Sequence, residues 1–114
     1  MSRAHSAAEA KLTKAAPVFA ALGDPTRLRV IARLCGEGPL SITQLSAGAR
    51  VTRQAITKHL HTLSEAGLVC NRRRGRERIW ELELKRLEMA HECLDQISAQ
   101  WDEAIGRLKA FVEK

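Results

Sequence analysis

The chain has 114 residues, 45% of them hydrophobic, enough for one domain yet small enough that self-association would add much to its core. Lys and Arg number 19 against 13 Asp and Glu, and the excess is local: the segment from Arg50 to Arg78 holds eight basic and two acidic residues, the remainder eleven of each. No apolar run reaches the ~18 residues of a membrane span. The N-terminus has no hydrophobic stretch leading to a cleavage site, so membrane insertion and export are not expected and the cytoplasm is the expected location. Cys35, Cys70 and Cys93 are odd in number, widely spaced and without CxxC, which fits reduced thiols rather than a disulfide framework or zinc site.

Met1 to Ala10 is polar and alanine-rich. A helical pattern strengthens from Lys11 through Leu12, Ala15, Ala16, Phe19, Ala20 and Leu22, giving a first helix over 11–22 with a frayed start. Pro17 predicts a break in it, unless that residue occupies the first turn of a helix beginning near Ala15 or Ala16. Asp24-Pro25 starts a new helix, Asp as cap and Pro with φ preset at the first position. That helix runs to about Cys35 and is expected to bury Leu28, Ile31, Ala32 and Cys35. Arg27, Arg29 and Arg33 are left to solvent, free to touch phosphate or merely hydrated. Gly36-Glu37-Gly38-Pro39 forces a loop.

The segment 41–65 has helix-turn-helix spacing. Ser41 and Gln44 form a capping box, a short helix ends near Ala47-Gly48, and Thr52 caps a second helix reaching about Glu65. In that second helix Ala55, Ile56, His59, Leu60 and Leu63 share an inner face, with His59 a hydrogen-bonded structural histidine. Arg53, Gln54, Thr57, Lys58 and His61 then look outward, as residues suited to base edges and phosphates. A β-wing follows over 68–82: Leu68-Val69 begins an extended run, Arg72-Arg73-Arg74-Gly75-Arg76 turns, and Arg78-Ile79-Trp80-Glu81-Leu82 returns. The fold class is mainly α with a small β-hairpin, a winged helix-turn-helix. Double-stranded DNA is the expected partner, contacted by Thr52, Arg53, Gln54, Thr57, Lys58 and His61 on the helix and by Arg73, Arg74, Arg76 and Arg78 on the wing. With only 4% aromatic residues, readout of single-stranded RNA by stacking is disfavoured.

From Leu84 onward Leu87, Ala90, Leu94, Ile97, Trp101, Ile105, Leu108, Phe111 and Val112 recur at three- and four-residue steps, one amphipathic helix over 84–113. Its stripe exceeds what one small subunit can cover. The helices at 11–22 and 84–113 are therefore expected to dimerise the single domain 1–114, with Leu12, Phe19, Leu94, Ile97, Trp101, Ile105 and Leu108 in the homodimer interface.

Three segments, ALGDPTRLRVIARL (Ala21 to Leu34), TRQAITKHLHTLSEAGLV (Thr52 to Val69) and RRRGRERIWEL (Arg72 to Leu82), resemble the ArsR family of bacterial transcriptional regulators. The resemblance implies a winged helix-turn-helix repressor, dimerised through its first and last helices on an inverted-repeat operator. Metal-sensing relatives carry paired cysteines in the helix before the recognition helix, and the corresponding LSITQL (Leu40 to Leu45) has none. The family's other metal pattern places Asp, His and a downstream His pair on the last helix. Here His91 stands among Glu88, Glu92 and Asp95, and eleven residues on is Asp102, so no metal and no cofactor is expected. Cys35 and Cys93 are expected as small hydrophobes, whereas Cys70, beside Arg72 and Arg73, would be the thiol most inclined to ionise. The alternatives are a redox- or metal-responsive repressor of the same fold, or a winged-helix protein-interaction module. No glycine-rich phosphate loop, nucleophile with a base, or inward carboxylate pair suggests an enzyme.

Overall fold

A stripe of small and branched residues starts the core: Ala15, Val18 and Ala21 are at most 5% exposed along α1 (Arg3–Leu22). The computed structural model describes residues 3–113, in the order α1, α2 (Pro25–Glu37), β1 (Leu40–Ser41), α3 (Ile42–Ser46), α4 (Arg53–Glu65), β2 (Val69–Arg74), β3 (Glu77–Leu82) and α5 (Leu84–Val112). Val18, Val30, Ile31, Leu34, Leu45, Ile56, Leu60, Leu63, Leu68 and Trp80 meet in one cluster drawn from every helix before α5 and from the sheet, and Ala90 of α5 closes it.

The helices differ from expectation in three respects. The first helix begins at Arg3, well before Lys11, and it passes through Pro17 without a break. Proline removes one i→i−4 bond, here the one to the carbonyl of Thr13. Pro17 and Thr13 are both exposed, so water can serve that carbonyl while Ala15 and Val18 hold the opposite face in the core. In α2 the buried residues are Val30, Ile31 and Leu34, whereas Leu28, Ala32 and Cys35 are exposed. The inner face is rotated from the expected one, because α4 and β3 pack against Val30, Ile31 and Leu34 and leave the side of Leu28, Ala32 and Cys35 uncovered.

Capping is as the residues dictate. Asp24 Oδ2 accepts from the amides of Thr26 (2.9 Å) and Arg27 (3.0 Å). Ser41 Oγ accepts from Gln44 N at 3.1 Å while Gln44 Oε1 accepts from Ser41 N at 2.9 Å, a complete capping box. Thr52 Oγ1 accepts from Ala55 N at 3.1 Å. The Arg27 amide, first among the influences on Asp24, holds its carboxyl below the ordinary 3.8, with the nearby His59 and Arg27 charges adding to this. A depressed folded-state pKa means that the charged cap stabilises the fold above the unfolded value, and that this contribution fades as pH falls through the folded one. Asp24→Asn, which caps without charge, is therefore expected to lag the native chain in thermal stability at neutral pH and to converge with it in acid. A gap that stays constant from neutral pH to well below pH 3.8 would remove the charge from the account.

The sheet has three strands in the order β1-β3-β2, all antiparallel, rather than a lone hairpin. Leu40 pairs with Trp80 and Ser41 with Ile79, so the residues just before α3, of which Ser41 was expected only as a helix cap, form a third strand that the expected hairpin lacks. On the other side Val69 pairs with Leu82 and Arg74 with Glu77. The two-residue turn Gly75-Arg76 has its positive φ, 64°, at glycine, as a type II′ hairpin requires.

Candidate nucleic-acid interface

In α4 the burial of Ile56, Leu60 and Leu63 turns Arg53, Gln54 and Lys58 outward, all three exposed. Thr57 is half-buried and donates its hydroxyl hydrogen to Arg53 O at 2.9 Å, leaving a methyl group and a lone pair to present. Thr52 spends its oxygen on the cap. His59 is half-buried with Nδ1 3.9 Å from Asp24 Oδ2, so it faces the cap of α2 rather than the outer face of α4. His61, although exposed, sets its ring edge-on to Trp80, centroids 6.2 Å apart at 81°, and so ties the last turns of α4 to the wing.

The strand register sorts the wing arginines. Asn71 faces Trp80 and Arg73 faces Arg78 across the ladder, so these four share one side, the side on which Trp80 meets His61. Two like charges directly opposed are unfavourable, and Arg78 Nη1 donates to Asn71 Oδ1 at 2.8 Å on the diagonal. Arg72 and Arg74 share the other side with Glu77 and Ile79, lining a depression with Thr43 and Gln44 of α3. Arg76 stands at the tip, and everything from Asn71 to Arg78 is exposed.

Two of the three α2 arginines are committed elsewhere. Arg27 donates to the carbonyls of Ala21 and Ala20, closing the end of α1. Arg33 pairs with Glu37 at 2.8 Å and donates to Gln44 O (3.0 Å) and Leu45 O (3.3 Å), holding the C-terminal carbonyls of α3. Arg29 makes no such bond among the described residues. No pattern in the chain announced the Arg33 bridge, because its acceptors are backbone atoms eleven and twelve residues away.

Cys70 is a correction. Strand alternation turns its thiol away from Arg73 and toward carboxylates, with Sγ 3.3 Å from Glu83 Oε1 and 3.9 Å from Glu81 Oε1. Burial, then the Glu83 and Glu81 carboxylates, push its pKa up rather than down, which disfavours the reactive thiolate. Of the other thiols Cys93 is buried, as expected, and Cys35 is exposed. On α5 His91 Nδ1 lies 3.6 Å from Asp95 Oδ2 on an exposed face.

A short helix, a tight turn, a capped second helix with an outward polar face and a basic hairpin define a winged helix-turn-helix transcriptional regulator. A family model described as a helix-turn-helix domain matches residues 22–69. The HTH-type transcriptional regulator Rv2034 of Mycobacterium tuberculosis is 35% identical over 85 residues, covering 75% of this chain and 76% of that protein. The arsenic resistance transcriptional regulator ArsR2 of Pseudomonas putida is 31% identical over 87 residues, 74% of this chain and 76% of its own. Among solved structures, the ArsR-like transcriptional regulator from Rhodococcus sp. RHA1 superposes with a TM-score of 0.71 at 35% identity, covering 88% of this chain and 93% of that one. The chain belongs to the ArsR family of winged helix-turn-helix transcriptional regulators. Its relatives are regulators and not enzymes, and among the described residues no helix is long and apolar enough to cross a membrane.

Proposed function

We propose that this regulator is a homodimeric repressor that blocks transcription by occupying an inverted-repeat operator. The observation that carries the reading is the outer stripe of α5, where Leu94, Ile97, Trp101, Leu108, Phe111 and Val112 are between 45% and 79% exposed. A soluble chain rarely leaves so long an apolar run to water, and such runs mark interfaces. The radius of gyration supports it: 18.5 Å against about 13 Å for a compact domain of this length, because the far half of α5 extends past the core. A second copy aligned on that stripe covers it, with Leu12 of α1 adding to the seam, and the 1–114 chain then acts as one DNA-reading subunit of two. Phe19 contributes less than its sequence position suggests, since it packs against its own core.

In this reading Arg53, Gln54, Thr57 and Lys58 enter the major groove, while Arg73, Arg74, Arg76 and Arg78 hold the flanking backbone, and His61 orients the wing. The protein-interaction alternative is less well supported, because the outward face of α4 is basic and hydrogen-bonding. A cysteine-based sensor gains nothing from a Cys70 thiol set between two carboxylates.

Selection of bound genomic fragments tests the reading: an inverted repeat with half-sites about one helical turn apart is expected, and enrichment of a single half-site would defeat it. Replacing both Arg74 and Arg76 with Ala is expected to weaken binding to all duplexes alike and to lower the slope of log affinity against log salt by about two. An unchanged slope would place the wing tip off the DNA.

A further inference from the structure

Between α2, the C-terminal end of α3 and the turn that leads into α4 lies a cavity of about 640 Å³. Its apolar lining is Val51 together with the outer edges of the core residues Val30, Leu45 and Ile56, each at most 3% exposed, and its charged lining consists of Arg29, Arg33 and Arg50, with no acidic residue. Arg29 reaches it from α2 and Arg50 from the turn, and neither guanidinium has a hydrogen bond or ion pair among the described residues. The size lies within the range of small-molecule sites, which combine apolar walls with a few convergent polar groups.

We propose that this cavity is an effector site for a small amphipathic organic anion, whose negative head is held by Arg29 and Arg50 and whose apolar body lies over Val30, Val51 and Ile56. The coupling to DNA, which rests on the repressor reading above, runs through Arg33. That side chain lines the same cavity while donating to the carbonyls of Gln44 and Leu45, so an anion there competes for the guanidinium that holds the end of α3. Releasing those carbonyls loosens the turn from Ala47 to Val51, and with it the placement of Thr52 and Arg53 at the start of the recognition helix. The bound anion therefore lowers operator affinity.

The test uses the full chain, isotope-labelled, with naphthalene-2-carboxylate as probe, its neutral carboxamide as charge control and inorganic phosphate as head-group control. Saturable shifts at the Val30 and Val51 methyl groups and at the Arg29 and Arg50 side-chain NH signals are expected. The Arg29→Ala/Arg50→Ala double variant should bind at least about tenfold more weakly, equivalent to ~1.4 kcal/mol, and so should the carboxamide. Affinity unaltered by the variant or the carboxamide, shifts confined to the exposed face of α5, or phosphate binding as tightly as the carboxylate would each overturn the site. This arm contains no DNA, so it is judged apart from the repressor reading. In the second arm saturating probe is expected to weaken operator binding several-fold in the native chain and not in the double variant. Equal operator affinity with and without probe would remove the effector role.

Discussion

Trp101→Ala is expected to raise the dimer dissociation constant by more than tenfold, because large aromatics at the centre of an interface commonly contribute about 2 kcal/mol or more. Trp101 is 67% exposed in its own subunit, with Ile97 and Ile105 one turn to either side, so its removal takes little from the core. The fold, followed by circular dichroism, should survive while sedimentation at micromolar concentration shifts toward monomer. Operator affinity should then fall far more than affinity for random DNA, since only the operator rewards two linked reading heads. A variant that sediments as the native chain does would move the interface off α5.

Gln54→Ala is expected to weaken operator binding by about 1–3 kcal/mol and random-sequence binding hardly at all, the signature of a base contact. Gln54 is exposed on the first turn of α4, and its amide is uncommitted among the described residues. Thr57 differs from it despite facing the same way. Its hydroxyl hydrogen is spent on Arg53 O, so Thr57→Val, which keeps the shape and the methyl, should lose less than Gln54→Ala. Equal losses on both DNAs for Gln54→Ala would reduce that residue to a backbone contact.

What could be seen in the chain beforehand was local. Asp24-Pro25, the Ser41–Gln44 box and Thr52 each declare a helix start through chemistry confined to four residues, and all three caps formed. The placement of Ile56, Leu60 and Leu63 followed from helical period alone. The misplaced features depend on distant neighbours. Pro17 breaks an isolated helix, yet here Ala15 and Val18 on either side are pinned in the core. The inner face of α2 could not be fixed without knowing where α4 and the sheet press on it. Nothing local marks Leu40 and Ser41 as strand until β3, nearly forty residues on, supplies their partners. For the candidate site, residue types on α4 and the wing were legible, while their commitments were not: Thr57 to its own helix, His61 to Trp80, Arg33 to α3 and Cys70 to Glu83.

The pairing of β1 with β3 has a consequence for how this molecule breathes. A five-residue helix cannot persist alone, because nucleation outweighs the few bonds it forms. α3 survives because Ser41 is at once its cap and a rung of the sheet, beside the strand that carries the wing. The first helix of the DNA-reading motif and the wing thus belong to one cooperative unit. Their amides should exchange with solvent hydrogen at a common opening free energy, and a lesion at Ile79, the rung opposite Ser41, should lower protection in α3 as much as in the hairpin itself.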